Sequence, residues 1–100
     1  MPMILGTAQL TLHIPEAQSL KDRRRVVKSI VQRVRNRFDV AIADVDDRPQ
    51  WQIATLGVVA VANSGTHVET VVQQVINFIE QNLTTGYLTD VRTEVVHLDS

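Results

Sequence analysis

Apolar residues recur along this chain with a period that switches between two and 3.6, and the order of the switches leaves few folds open. Residues 7–14 alternate: Ala8, Leu10, Leu12 and Ile14 are apolar, while Gln9, Thr11 and His13 are polar. That spacing predicts a half-buried strand, ended by Pro15. From Leu20 the apolar positions are Leu20, Val27, Ile30, Val31, Val34 and Phe38. They fall within an arc of about 100° on a helical wheel, which predicts an amphipathic helix. Ser19 stands at its N-cap, with Asp22 three residues on as a weak capping box. Asp39 to Val45 reads as a short strand, and Asp46-Asp47-Arg48-Pro49 as a turn. Trp51 to Ala62 is long and largely apolar, the pattern of a central strand. Asn63-Ser64-Gly65 breaks it, and Thr66 with Glu69 forms a second capping box. Val68, Val71, Val72, Val75, Ile79 and Leu83 then mark a second helix, with Gly86 as its stop signal and Tyr87 to Leu98 as a last strand.

The order is β-α-β-β-α-β. It predicts an α+β, ferredoxin-like domain over residues 1–100: a four-stranded antiparallel sheet in the order 4-1-3-2, with two helices on one face. The chain has 100 residues, enough for one core and too few for two domains. Cysteine is absent, which excludes disulfides, thiolate zinc sites and thiol nucleophiles. No apolar run reaches the length of a membrane span, and the N-terminus lacks the charged start of a signal peptide. The expectation is a soluble cytoplasmic protein.

A formal net charge of −1 hides two opposed blocks. Eight of the ten basic residues lie between positions 21 and 37, where Asp22 is the one acid, so this segment carries +7. The other 83 residues carry −8. Ordinary helix faces interleave acids at i,i+4 for mutual support, and this one hardly does. Such a bare basic face points to an anionic partner such as RNA.

The predicted topology gathers His13, Ser19, Lys21, Arg23, Arg24, Arg25, Asp44, Asp46, Asp47, Trp51 and Tyr87 at one end. His67 and His97 go to the other end, so the three histidines cannot share a metal. Arg23 and Arg24 flank the apolar stripe of the first helix, and two roles compete for them. Their heads can pair with Asp44, Asp46 or Asp47. Alternatively, Lys21, Arg23, Arg24, Arg25, Lys28 and Arg35 form a site for phosphates. The acidic hairpin lacks the spacing of a calcium loop. Trp51 reads as a core anchor before a stacking platform, His13 as a partly exposed strand residue, and Ser19 as a cap with no base placed to activate it. No catalytic residue, metal site or cofactor is predicted.

His13-x-Pro15, Ser19-Leu20-Lys21-Asp22-Arg23-Arg24, Lys28-Ser29, Arg37-Phe38-Asp39-Val40, Ala43-x-x-Asp46, Trp51-Gln52 and Leu56-Gly57 together resemble the YlxP-like bacterial family of unknown function. The resemblance spans nearly the whole chain and is densest over residues 13–57. It implies a ferredoxin-like fold and a gene often found near those for translation initiation and ribosome-binding factors. It implies no activity and no catalytic residue. Members often carry Glu where this chain has Asp44, a departure that matters if that acid has a defined partner.

Two functions follow as expectations, ahead of a third, an enzyme or small-ligand sensor with the gathered end cluster as its pocket. One is a non-catalytic protein that associates with RNA or the ribosome through its basic helix. RRM-type sheet aromatics and a KH-type GXXG loop are both missing, so binding would run through phosphates. The other is an interaction module or homo-oligomer formed through the open sheet face, around Gln9, Thr11, His13, Ala41, Ala43 and Arg92.

Overall fold

The computed structural model describes residues 2–46, 48 and 50–98. Its elements are β1 (Met3–His13), α1 (Leu20–Arg37), β2 (Ala41–Asp44), β3 (Ile53–Ala62), α2 (Gly65–Asn82) and β4 (Tyr87–Leu98). The sheet runs β2-β3-β1-β4 with every neighbouring pair antiparallel, the predicted order read from its other edge. Of the predicted turn at 46–49, Asp47 and Pro49 lie outside the described residues.

The alternation in β1 sends Ile4, Ala8, Leu10 and Leu12 into the core. From β3 come Ala54, Leu56, Val58 and Ala60. The helices close over this face with Val27, Ile30, Val31 and Val34 from α1 and Val68, Val72, Val75, Ile76 and Ile79 from α2. β1 begins four residues earlier than its alternation predicts. There Met3, Ile4 and Leu5 are all apolar, because the outer face of the sheet is apolar too and the period-two signal vanishes. Gly6 lets α2 approach β1 closely: a Cβ there would come within 2.9 Å of the Val68 Cβ.

Serine caps both helices. Ser19 Oγ accepts from Asp22 N–H at 3.1 Å, as predicted. The return bond of the box goes one residue further back, from Gln18 N–H to Asp22 Oδ2. On α2 the cap is Ser64, which accepts from His67 N–H, and not Thr66, which is already helical. Gly86 is not the C-cap of α2 either. That position is Leu83, and Gly86 instead takes φ +94° in the turn that lays β4 against the end of β1. A Cβ on Gly86 would meet the His13 carbonyl oxygen at 2.5 Å.

Candidate functional site

The α1 cations divide by what they touch. Arg23 precedes Val27 by four residues and Ile30 by seven, so it lies within the apolar stripe and not on its flank. Its residue exposure is 5%. The guanidinium grips Asp44 at both oxygens, Nη1 to Oδ2 at 2.7 Å and Nη2 to Oδ1 at 3.1 Å. Nε donates to the Ile53 carbonyl at 2.9 Å. Arg23 therefore leaves the predicted phosphate site, because every nitrogen of its fork is engaged inside the protein. It fastens α1 to the ends of β2 and β3. Asp44 thus has a defined partner.

The acid hairpin is held in the same manner. Asp44 Oδ1 also accepts from Asp46 N–H at 3.0 Å. The side chain of Asp46 is only 3% exposed. It accepts from Arg48 Nη2 at 2.6 Å, Arg48 Nε at 2.9 Å and Thr55 Oγ1 at 3.1 Å. The Arg48 side chain, helped by the Arg48 N–H and the Thr55 hydroxyl, outweighs desolvation and holds the Asp46 carboxyl far below the usual carboxylate range.

Three other α1 arginines are tied to the fold. Arg35 Nη2 donates to the Ile42 carbonyl of β2 at 2.8 Å. Its head is therefore anchored on the sheet edge, though it was predicted to serve a phosphate. Arg33 donates to the Asn82 carbonyl and to Asn82 Oδ1 at the end of α2, where a cation suits the helix dipole. Arg37 lies 5.3 Å from the ring centroid of Phe78, which packs edge-on against Phe38.

Lys21, Arg24, Arg25 and Lys28 remain. All are exposed, and none of their side chains makes a hydrogen bond or ion pair among the described residues. They stand three and four positions apart on the outer side of the first two turns, over about 10 Å of helix. Like charges at that spacing each cost a few tenths of a kcal/mol, so local helix stability gains nothing from the arrangement.

At the same end of the molecule the structure corrects a second expectation. Trp51 is no core anchor: it is 46% exposed. With His13, Gln50, Gln52 and Ile53 it lines a surface cleft of about 490 Å³. His13 is half-buried, as its place in the strand predicts. Its Nδ1 lies 2.9 Å from the hydroxyl of Tyr87, which is 52% exposed. His97 pairs with Ile4 at the far end of the sheet, so the histidines are separated as predicted. No set of three or more potential metal ligands occurs among the described residues. Nor is any described helix long and apolar enough to cross a membrane.

The open sheet face holds one more feature that alternation could not reveal. Leu5 is flanked by Val61 on β3 and Val96 on β4, with Met3 opposite Leu98 and Val59 opposite Ala41. Met3, Val59, Val61 and Leu98 are exposed there. The face is thus aliphatic at one end and polar at the His13 end.

Comparison with known sequences agrees with the reading from motifs. A de novo designed protein, Foldit4, has a TM-score of 0.47 and 16% identity over 98% of both chains. The uncharacterized protein YlxP of Bacillus subtilis (strain 168) is 36% identical over 77 residues, which is 77% of this chain and 84% of that protein. The family model described as protein of unknown function (DUF503) matches residues 5–93, and the chain belongs to that family.

Proposed function

We propose that this is a non-catalytic cytoplasmic protein that associates with RNA, in the first place structured ribosomal RNA, through the outer face of α1. One observation carries the reading. Arg23, Arg33, Arg35 and Arg37 each have a structural task, whereas Lys21, Arg24, Arg25 and Lys28 have none among the described residues. Four uncompensated cations over about two helical turns suit successive phosphates and carry little base selectivity. The test is binding of a ribosomal RNA fragment across a salt series. Four phosphate contacts predict a slope of log affinity on log salt of about −3. In the variant carrying Lys21→Ala, Arg24→Ala, Arg25→Ala and Lys28→Ala, binding and slope should both collapse. Equal low-salt affinity of the two proteins would refute the reading.

A second reading has its own support. The aliphatic patch around Leu5 favours a face-to-face homodimer, with the polar end of the sheet as its rim. Sedimentation should then give twice the chain mass, reverting to one chain in Leu5→Lys. A monomer at high concentration would end this reading.

A further inference from the structure

The cleft beside Trp51 has the composition of a site for a flat, polar-edged ring. Two of the chain's four aromatic residues, Phe38 and Phe78, pack against each other. The other two, Trp51 and Tyr87, are the amphipathic pair, and both stand open to solvent at the His13 end of the sheet. Exposure of an indole forgoes the burial that usually rewards it.

The surroundings are pre-organised. Tyr87 holds the His13 ring through a 2.9 Å hydrogen bond and an edge-on contact with centroids 5.3 Å apart. His13 Nε2 has no partner among the described residues. Gln52 Nε2 donates to the Pro15 carbonyl, which leaves its Oε1 to accept, while the Gln50 amide has no partner among the described residues. A ring seated on Trp51 would thus meet donors and acceptors at its edge.

Charge at this end suits a nucleotide, although Glu16 is exposed there with no ion pair among the described residues. Three acids near this end are matched by arginines: Asp44 by Arg23, Asp46 by Arg48 and Asp90 by Arg92. The free cation row begins at Lys21, in the first turn of α1, at this same end. We propose that the cleft takes an unpaired base of single-stranded RNA, stacked on Trp51 and edged by His13 and the two glutamines. This adds a second contact to the reading of α1 and rests on it only for RNA as the source of the base.

The chain has one tryptophan, so its indole N–H resonance reports on the cleft alone. A nucleoside 5′-monophosphate should move that resonance and ribose 5-phosphate should not. The same should hold in the variant neutralised at Lys21, Arg24, Arg25 and Lys28, which separates the cleft from α1. No movement by any of the four nucleotides, or equal movement by ribose 5-phosphate, would overturn the proposal whether or not α1 binds RNA. With a labelled single-stranded decanucleotide, Trp51→Ala should weaken binding about 5- to 100-fold, and Trp51→Phe should recover most of it. A mononucleotide bound as tightly as the decanucleotide would reassign the cleft to free nucleotides and overturn the RNA assignment. So would a proline-rich peptide that moved the resonance at lower concentration than the decanucleotide.

Discussion

The two helices invite a position-by-position comparison. Each has 18 residues, and their serine caps are Ser19 and Ser64. Aligned on those caps, the buried set Arg23, Val27, Ile30, Val31 and Val34 falls on Val68, Val72, Val75, Ile76 and Ile79, residue for residue. The outer faces then diverge. Lys21, Arg24, Arg25 and Lys28 fall on Thr66, Glu69, Thr70 and Gln73. Both helices perform the same packing task on the same sheet, and α2 performs it without cations. The outer-face charge of α1, at Lys21, Arg24, Arg25 and Lys28, is therefore no requirement of the architecture. The one buried pair that differs in polarity, Arg23 against Val68, also shows two ways of fastening a helix. α2 is held by hydrocarbon packed against Gly6, and α1 by a guanidinium bonded to the ends of two strands.

The largest expected break in this comparison comes from Arg23→Ala. It leaves the Ile53 carbonyl and most of Asp44 without donors, and should cost about 3 kcal/mol in urea unfolding. Asp46→Asn removes the charge and one of the two acceptor oxygens that gather Arg48 and Thr55, and should cost about 1–2 kcal/mol at neutral pH. Because the folded pKa of Asp46 lies below its unfolded value, its contribution is present above about pH 4 and is lost as the pH falls from there. In urea unfolding the stability of the wild type should accordingly fall toward that of Asp46→Asn as the pH drops below about 4, because the amide stands in for the protonated acid. Ser19→Ala and Ser64→Ala should each cost about 1 kcal/mol in thermal unfolding, since both caps accept one N–H. The smallest effect has the opposite sign. Lys28→Glu places an acid four residues after Arg24, and should raise stability by about 0.3 kcal/mol while weakening RNA binding.

Much of the fold was legible because its signals are local. Alternation in β1, two apolar stripes and a central apolar strand sufficed for the order of the six elements. Where both sides of a strand are apolar, as at Met3–Leu5 and Val58–Val61, alternation carries no information, and the aliphatic patch stayed hidden. A wheel whose stripe is drawn from apolar residues alone puts Arg23 on its flank, yet its spacing to Val27 and Ile30 marks an inward position. Trp51 was assigned to the core because large aromatics usually bury. Its exposure depends on where the loop before β3 leaves the sheet, which no local pattern encodes. The row Lys21, Arg24, Arg25 and Lys28 was visible from the start. What the sequence could not supply was which neighbouring arginines the fold had already claimed.

The anchor of Arg35 also bears on self-association. Val45 N–H donates to the Thr55 carbonyl, so the hydrogen-bonded positions of β2 are 41, 43 and 45, and the backbone of Ile42 and Asp44 turns away from the sheet. Arg35 occupies the Ile42 carbonyl on that margin. A strand of four residues with one outward acceptor already taken is a poor template for a foreign chain. The opposite margin, β4, runs for twelve residues and relies on Asp90, Arg92 and Glu94 for its defence. Fibrillar assembly or strand exchange in this protein would accordingly begin at β4, and salt that screens those three charges would hasten it.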